Sequence, residues 1–367
     1  MGSDHTSHQR RSQPTCLSGS CAPRVCLAAA LSSSIPPTDQ HFLFLPTSHT
    51  AEVRLDHGAQ LIHPDALKQD TPFAREVASA VSAGALAHWT AFDGGAAVIG
   101  TPGINALPKY LAQGLDVHTG VPVANIERSS ETGLWQVRTG VPPPLPGVPP
   151  SQVASSAYGA SQTDTLGPFD ELVLAVPPIQ AHALLGTAAA PAADVDVAAL
   201  QQTCASVTMA PCLAALFVFP RALDTSKVAV KAGNDSTGAI AWAASGRGRA
   251  GSPDAGLETW VAHATPAWSQ AHLEDQPKES AAALLPHLLA LLGIGETASV
   301  PAPLHINGQR WRFSQLAGDG VAGQAFARQA RGGLSLCGDW FVGRRLEHAY
   351  ASGYALGEAL AGQQPEA

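Results

Sequence analysis

The sequence predicts a mixed α/β protein with two lobes, one built on a parallel sheet and one on an antiparallel sheet. The chain has 367 residues, which is too many for one simple hydrophobic core. The apolar stretch 172–176 runs into a helix after Pro177 and Pro178, as expected for a parallel strand buried on both faces. Between Ala205 and Pro303, strand-like pieces follow one another before a long helix, which indicates a separate antiparallel sheet.

Composition narrows the class of partner. Hydrophobic residues make up 45% of the chain and the formal net charge is −8, which argues against nucleic acid or an anionic membrane as the main partner. Arginines cluster in "SGRGR", "GQRWR" and "VGRR"; solvated loop arginines are the favoured interpretation, and an anion-facing role is the alternative. The longest apolar run, Ala281 to Gly295, is interrupted by Pro286 and is shorter than the roughly 18 residues of a membrane span. We therefore expect no transmembrane segment.

The cysteines and the N-terminus indicate the cellular setting. No two of the six cysteines form a C-x-x-C pair, so we expect no metal site, no disulfide framework, and reduced thiols in an intracellular protein. Residues 1–45 are rich in Ser and poor in acidic residues, and we interpret them as a disordered or transit-like leader or as a mispredicted gene start. The expected compartment is the cytoplasm or, with a transit peptide, a chloroplast or mitochondrion. The cysteines are Cys16, Cys21, Cys26, Cys204, Cys212 and Cys337.

Turn residues and the spacing of apolar residues predict the strands and helices of the first half of the chain. Residues 52–62 are strand-like around a turn at Asp56-His57-Gly58, and Thr71 ahead of Pro72 predicts a helix start. The segments "VPVANIE" and "GLWQVRTG" predict two further strands. Residues 141–167 are rich in Pro and Ser, which favours a solvent loop inserted in a hairpin.

A literal G-x-G-x-x-G occurs at Gly246, Gly248 and Gly251, but its context does not favour a dinucleotide site. Such a site requires the glycines between a strand and a helix, so that the helix N-terminus faces a pyrophosphate. Here Pro253, Gly256 and another strand follow. A glycine-rich hairpin connection is the better interpretation. No P-loop, H-E-x-x-H or G-x-S-x-G motif occurs, so hydrolase and nucleotide triphosphatase functions lack support.

The C-terminal stretch "LSLCGDWFVGRRLEHAYASGYALGEAL" carries the strongest functional signal. An apolar strand delivers Asp339 at its carboxyl end, where open α/β sheets bind ligands. A helix beginning around residues 345–347 would direct free N–H groups at that crevice. Its expected inner face, made of small residues, would admit a flat, bulky ligand; tight helix-on-sheet packing is the alternative explanation. These small residues are Ala349, Ser352, Gly353 and Gly357.

This stretch resembles the C-terminal flavin-binding motif of the FAD-dependent amine oxidase superfamily, most closely its renalase-like branch. The segments "DHGAQ", "VIGTPGINALPKYLAQGLDVHTGVPVANIE", "LVLAVPP" and "GQRWRFS" are similar to other family blocks in the same order, so the resemblance runs from about Glu52 to Gly362. It implies a discontinuous FAD/NAD(P)-binding Rossmann-like domain at 46–64, 98–180 and 325–363, with a substrate domain of antiparallel sheet and helix at 65–97 and 181–324.

The resemblance also implies a set of cofactor-binding residues. Gly338 and Asp339 would contact the ribityl-phosphate part of FAD, the backbone around Leu346 and Glu347 would approach the pyrimidine edge of the flavin, and Val123 would contact the adenine end. Trp242, Trp260 and Trp311 are candidates for the substrate lobe, with a plain core role favoured. No catalytic acid or base stands out. The expected cofactor-binding set is Gly338, Asp339, Leu346, Glu347, Ala349, Ser352, Gly353 and Val123.

The chain departs from the family pattern at its start. The family opens with a strand, G-x-G-x-x-G and a helix, whereas "CLSGSCAPRVCLAAALSSS" lacks the glycine spacing and shows no convincing strand before it. The family's tyrosine-phenylalanine after "DHGAQ" is Leu61-Ile62 here, and His348 replaces a small residue. A truncated gene start or a lineage with weakened FAD affinity would explain the pattern.

Three functions remain open at this stage. The first is a renalase-like FAD oxidoreductase that takes a hydride from a dihydronicotinamide dinucleotide or an amine-like donor and passes electrons to dioxygen. The second is a flavin-deficient pseudoenzyme that acts as a binding or interaction protein. The absence of the family's N-terminal glycine motif is the reason to consider it. The third is another superfamily member, of the polyene desaturase or porphyrinogen oxidase type.

Overall fold

The computed structural model describes residues 25–28, 43–44, 52–149, 164–188, 195–231, 238–249, 256–295 and 299–362. Within these ranges the chain forms a mixed α/β protein with a small parallel-type sheet and a larger antiparallel sheet. This confirms the predicted fold class. In the described part of the chain, no helix is both long enough and apolar enough to cross a membrane.

The helices lie between the strands and at the C-terminus. Short 3-10 turns occur at Pro64–Leu67, Asp93–Gly95 and Ala330–Gly332. The α-helices are α1 (Pro72–Ser82), α2 (Ala106–Leu111), α3 (Pro178–Leu185), α4 (Val197–Ala205), α5 (Pro266–Ala271), α6 (Pro277–Leu292), α7 (Asp339–Val342) and α8 (Leu346–Ala361).

Sixteen strands are described, many of them short. They are β1 (Val25–Ala28), β2 (Leu43–Phe44), β3 (Glu52–Val53), β4 (Leu86–His88), β5 (Val98–Gly100), β6 (Val123–Arg128), β7 (Trp135–Thr139), β8 (Thr165–Phe169), β9 (Glu171–Leu174), β10 (Met209–Phe219), β11 (Ala229–Lys231), β12 (Ile240–Ser245), β13 (Glu258–Ala264), β14 (His305–Leu316), β15 (Ala327–Gln329) and β16 (Leu334–Leu336).

The first sheet has the strand order β1-β9-β16-β15, with β9 parallel to both of its neighbours. Leu172, Val173 and Leu174 of β9 are all buried, which confirms the prediction of a parallel strand covered on both faces. Strand β1 was not expected, because it lies inside the segment that the sequence analysis set aside as a leader. Its four residues, "VCLA", are too few to give a periodicity signal, so only the pairing with β9 identifies them as a strand.

The second sheet is antiparallel, in the order β11-β12-β13-β10-β14, and α6 packs against it. One face holds a core of aromatic and small residues from β10 and β13 together with Leu284 and Leu288 of α6. The long helix was expected from Ala281, but it begins at Pro277, since a proline suits the first turn, where no backbone hydrogen bond is lost. Pro286 lies inside this helix and does not end it.

Three local predictions are confirmed. Thr71 caps α1 by accepting a hydrogen bond from the Ala74 N–H at 3.1 Å. Strands β7 and β8 pair antiparallel across the Pro- and Ser-rich segment, which is therefore an insertion in a hairpin. Strands β12 and β13 also pair antiparallel, so the G-x-G-x-x-G stretch between them connects a hairpin and not a strand to a helix.

Candidate functional site

Gly338 and Asp339 lie just beyond the carboxyl end of β16, as predicted from the apolar strand that precedes them. The N–H of Gly338 donates to the Ser352 Oγ of α8 at 2.9 Å, and that hydroxyl donates to the Ala325 carbonyl at 2.6 Å. Ser352 is fully buried. The strand end and the last helix are thus tied together through one side chain.

Asp339 begins the short helix α7 and is half-buried. Burial raises the pKa of its carboxyl group, an effect that the N–H groups of Trp340 and of Asp339 itself and the nearby His348 oppose. A carboxylate in this position can accept hydrogen bonds from ligand hydroxyl groups.

The start of α8 leaves donors available. Arg345 precedes the helix in an extended conformation and makes no side-chain cap. The N–H groups of His348 and Ala349 bond to the Arg345 carbonyl, but in the described residues no acceptor meets those of Leu346 and Glu347. This part of the helix can therefore donate to a polar or anionic group.

The small-residue face of α8 differs from the prediction. Of the four small residues expected to face inward, only Ser352 is buried; Ala349, Gly353 and Gly357 are exposed among the described residues. The buried face instead contains Leu356, because in this helix the 3.6-residue period brings 352 and 356 onto one side. Ala349 and Gly353 therefore contact a cofactor only if it lies on the outer side of the helix.

Val123 is the first residue of β6, where it pairs with Thr139 and lies half-buried. Its main chain sits at a register shift between Val123 and Asn125, a place where backbone groups leave the regular ladder. Its predicted role at the adenine end of FAD stays a prediction.

The residues present fit the flavin end of FAD better than the pyrophosphate end. The Asp339 carboxyl group, the donors of Leu346 and Glu347, and the buried Nδ1 of His348, which has no hydrogen-bond partner within the described ranges, supply polar groups near one another. After β1, by contrast, the sequence contains no glycine until Gly58, so the segment that follows this strand does not supply the glycines of a pyrophosphate-binding turn.

A second group of polar residues lines an open cleft between the two lobes of the sequence analysis. The cleft is open to solvent and is lined by Arg54, Leu55, Asp56 and Gln60, by the end of β5 and by residues of the β12–β13 hairpin. Asp56 and Arg249 face each other here, with Arg249 Nη1 3.6 Å from Asp56 Oδ2. Both side chains are largely buried, with exposed fractions of 15% and 13%.

The partners of Asp56 and Arg249 fix their positions. Both carboxylate oxygens of Asp56 accept from the Ile104 N–H, at 3.1 and 3.2 Å. Arg249 donates from Nε to the Ser245 carbonyl at 3.2 Å and from Nη2 to Gln60 Oε1 at 3.1 Å. Burial raises the pKa of Asp56 and lowers that of Arg249, and in each case the attraction of the partner opposes the effect.

Trp89 covers one face of the Arg249 guanidinium, whose Cζ lies 4.4 Å from the centroid of the indole. The Trp89 ring is fully buried, and its Nε1–H donates to the Arg247 carbonyl at 2.6 Å. Burial and this hydrogen bond together hold the ring in place. Gln60 is equally fixed, because its amide nitrogen donates to the Asp56 carbonyl and to the Gly58 carbonyl.

Beside the cleft, the His57 carbonyl accepts two side-chain hydrogen bonds. Trp311 Nε1 donates at 3.2 Å and His263 Nε2 lies at 3.1 Å. Burial lowers the pKa of His263 to about 4. Of the three tryptophans suggested for the substrate lobe, Trp260 is fully buried in the core of the antiparallel sheet, and Trp242 and Trp311 are half-buried.

Sequence reasoning missed the pairing of Asp56 with Arg249. Asp56 was placed in a turn, and Arg249 belongs to "SGRGR", whose arginines were favoured as solvated. That interpretation is wrong for this cluster, since Arg247 also pairs with a buried acid, Glu258, at 2.8 Å. The available signals were separate: two arginines close together in a chain with few charges, and an aspartate at the start of "DHGAQ", which resembles a family block.

A protein-family profile matches most of the chain. The profile of the family described as "Flavin containing amine oxidoreductase" matches residues 69–356. Similar solved structures include an Exiguobacterium sp. 255-15 protein assigned as a protoporphyrinogen oxidase (15% identity, TM-score 0.49, covering 73% of this chain and 53% of that one). A second is cyclohexylamine oxidase from Brevibacterium oxydans IH-35A (14% identity, TM-score 0.45, covering 74% of this chain and 55% of that one). A third is reduced UDP-galactopyranose mutase (11% identity, TM-score 0.47, covering 72% of this chain and 54% of that one). The chain spans about half the length of these proteins.

Proposed function

Because the chain belongs to the flavin-containing amine oxidoreductase family, we propose that it is a renalase-like FAD-dependent oxidoreductase. The proposed donor is a small molecule, either a dihydronicotinamide dinucleotide or an amine-like compound, and the proposed acceptor is dioxygen. Bound FAD would supply the hydride acceptor for this chemistry, while the protein supplies orientation and electrostatics.

The chain's own residues would divide that work between two places. Gly338 and Asp339 would hold the ribityl side of the cofactor, and the open N–H groups of Leu346 and Glu347 would meet the flavin edge. The cleft around Asp56 and Arg249 would receive the donor. No side chain is assigned as a catalytic acid or base.

One observation carries the proposal more than any other: Asp339 follows the parallel strand β16 and lies beside the uncapped start of α8. Carboxyl ends of parallel strands in open α/β sheets are where such folds bind their ligands. The hydrogen bond from Gly338 to Ser352 fixes the spacing between strand end and helix, so the two donors and the carboxylate form a rigid set.

The test is an absorbance spectrum of the purified full-length protein before and after denaturation. We expect a flavin spectrum and about one released FAD per chain. Asp339→Ala should lower the flavin content, whereas Asp116→Ala, which removes a carboxylate whose side chain is 92% exposed, should not. Unchanged flavin stoichiometry in the Asp339 variant would count against these residues as the cofactor site.

A flavin-deficient binding protein is the second candidate, and the sequence after β1 favours it. The residues that follow this strand, "AALSSS", contain no glycine that would let a backbone approach a pyrophosphate closely. A colourless protein that also fails to take up added FAD would favour this candidate over the oxidoreductase. A desaturase- or porphyrinogen-oxidase-like activity is a further alternative within the family, and substrate screening of a flavin-loaded sample would separate it.

A further inference from the structure

We propose that Asp56 and Arg249 form a subsite for a neutral carboxamide or ring amide, with Asp56 accepting the ligand N–H and Arg249 donating to its carbonyl oxygen. The proposal deepens the proposed function, because it names the chemical class of the molecule that enters the cleft. It depends on the geometry of the pair, on the donors that the pair leaves available, and on its charge.

The donors come from the incomplete pairing of Arg249. A guanidinium carries five N–H groups, and in the described chain Arg249 uses Nε for Ser245 and one Nη2 hydrogen for Gln60. Nη1 lies 3.6 Å from Asp56, which is beyond normal hydrogen-bond distance. A ligand carbonyl oxygen could therefore bond to Nη1 without displacing any contact of the pair.

The acceptors come from Asp56. Among the described residues its oxygens share one N–H, that of Ile104, although a carboxylate can accept about four hydrogen bonds. An amide presents one N–H beside one C=O, so a single amide group can satisfy Asp56 and Nη1 together. Trp89 closes the far face of the guanidinium, which leaves its other face to the cleft.

Charge selects against the other ligand classes. The pair is neutral overall. A protonated amine is attracted by Asp56 but repelled by Arg249, and a carboxylate is attracted by Arg249 but repelled by Asp56. Either ion would also leave one partner without a complementary group in a largely buried place, which carries a desolvation cost. Arg54 also lines the cleft, so a carboxylate is the strongest competitor and is included in the test.

The experiment uses three probes of similar size: benzamide, benzoate and benzylamine. Their binding to the full-length protein is measured by calorimetry or ligand-observed NMR, and the flavin content of each sample is recorded by absorbance. We expect benzamide to bind most tightly. Asp56→Asn should weaken benzamide about tenfold and make benzoate the preferred probe, since the pair becomes positive. Arg221→Lys, a change at an exposed arginine on another loop, should alter none of the affinities.

The reversal of preference distinguishes recognition from misfolding, because a variant that unfolds loses all three probes. Arg249→Gln provides the opposite charge change and should favour benzylamine. Equal binding of the probes, or a preference for benzoate in the unaltered protein, would overturn the subsite. Flavin content separates the two proposals: a colourless protein that prefers benzamide refutes the oxidoreductase and keeps the subsite, and a flavin-loaded protein with no such preference does the reverse.

Discussion

The hydroxyl group of Ser352 accepts the N–H of Gly338 at 2.9 Å and so joins the end of β16 to the middle of α8. Both partners come from the stretch that carries the flavin resemblance, yet they are 14 residues apart in the sequence. Since the same hydroxyl donates to the Ala325 carbonyl, Ser352 connects three segments at the proposed cofactor site.

Ser352→Ala should therefore destabilise the protein. The change leaves a partly buried N–H and a carbonyl group without their partner, which costs about 1–3 kcal/mol of unfolding free energy. Chemical denaturation followed by circular dichroism measures the effect. Ser79→Ala removes an exposed hydroxyl that bonds only within its own helix and should change stability by less than about 0.5 kcal/mol. Equal stability of the two variants would mean that the Ser352 contacts contribute little.

Gly333 is required at the start of β16 for two separate reasons. It has φ +60°, and a Cβ there would overlap the Asp170 carbonyl oxygen. Gly84 has a similar φ, +77°, with nothing within 4 Å of its Cβ position. Gly84→Ala should thus cost only the backbone preference, about 1 kcal/mol, whereas Gly333→Ala adds a steric clash with backbone.

The difference between the two glycine variants is the informative quantity. We expect Gly333→Ala to lose at least about 2 kcal/mol more than Gly84→Ala, because the Gly333 carbonyl also accepts the Leu172 N–H at 2.8 Å and cannot shift freely. Similar melting temperatures for the two variants would show that the strand end adjusts without cost.

The buried carboxylate of Glu258 holds together the strand ends that flank the β12–β13 connection. Its side chain is 3% exposed, pairs with Arg247 Nε at 2.8 Å and accepts from Trp260 Nε1 at 2.8 Å. Glu258→Gln leaves the Arg247 charge without a counter-ion and should cost about 3 kcal/mol. The matched change Glu127→Gln breaks an exposed pair with Arg138 and should cost less than about 1 kcal/mol. A loss at Glu258 as small as that at Glu127 would argue against a structural role for the buried pair.

Local signals in the sequence predicted much of the fold. The Thr71-Pro72 helix start, the apolar run of β9 and the hairpin around the Pro-rich segment each depend on neighbouring residues, so they can be read from a short window. The strand β1 was missed because four residues without alternation give no such signal, and its identity depends on pairing with β9 far along the chain.

The candidate site shows the same limit more sharply. Asp56 and Arg249 are 193 positions apart, and nothing in either local segment indicates that they meet. The face of α8 was predicted from side-chain size, but burial follows the helical period and the position of the neighbouring strand, so Ser352 is buried while Gly353 is exposed. Packing between segments that are distant in the sequence determines both the Asp56–Arg249 pairing and the buried face of α8. Neighbouring residues in a single sequence carry no signal of such packing.

His263 should make stability depend on pH. Burial is the main cause that lowers its pKa from 6.5 to about 4, and the charge of Arg249 adds to it, while the His57 carbonyl opposes it. Between these two values the unfolded chain binds a proton at this position that the folded chain does not. Stability is therefore fully present above about pH 6.5 and is lost as the pH falls toward 4, by up to about 3 kcal/mol.

His263→Gln isolates this contribution, because glutamine keeps an N–H donor for the His57 carbonyl but does not titrate. Denaturant unfolding between pH 7 and pH 4 should show a smaller loss of stability for this variant than for the unaltered protein. The raised pKa values of Asp56 and Asp339 act in the opposite direction, because a carboxyl group with a raised pKa in the folded state favours folding at low pH. Both groups are present in the variant and in the unaltered protein, so their effect cancels in the difference. An identical slope in the His263 variant would show that this imidazole takes up a proton in the folded protein without cost.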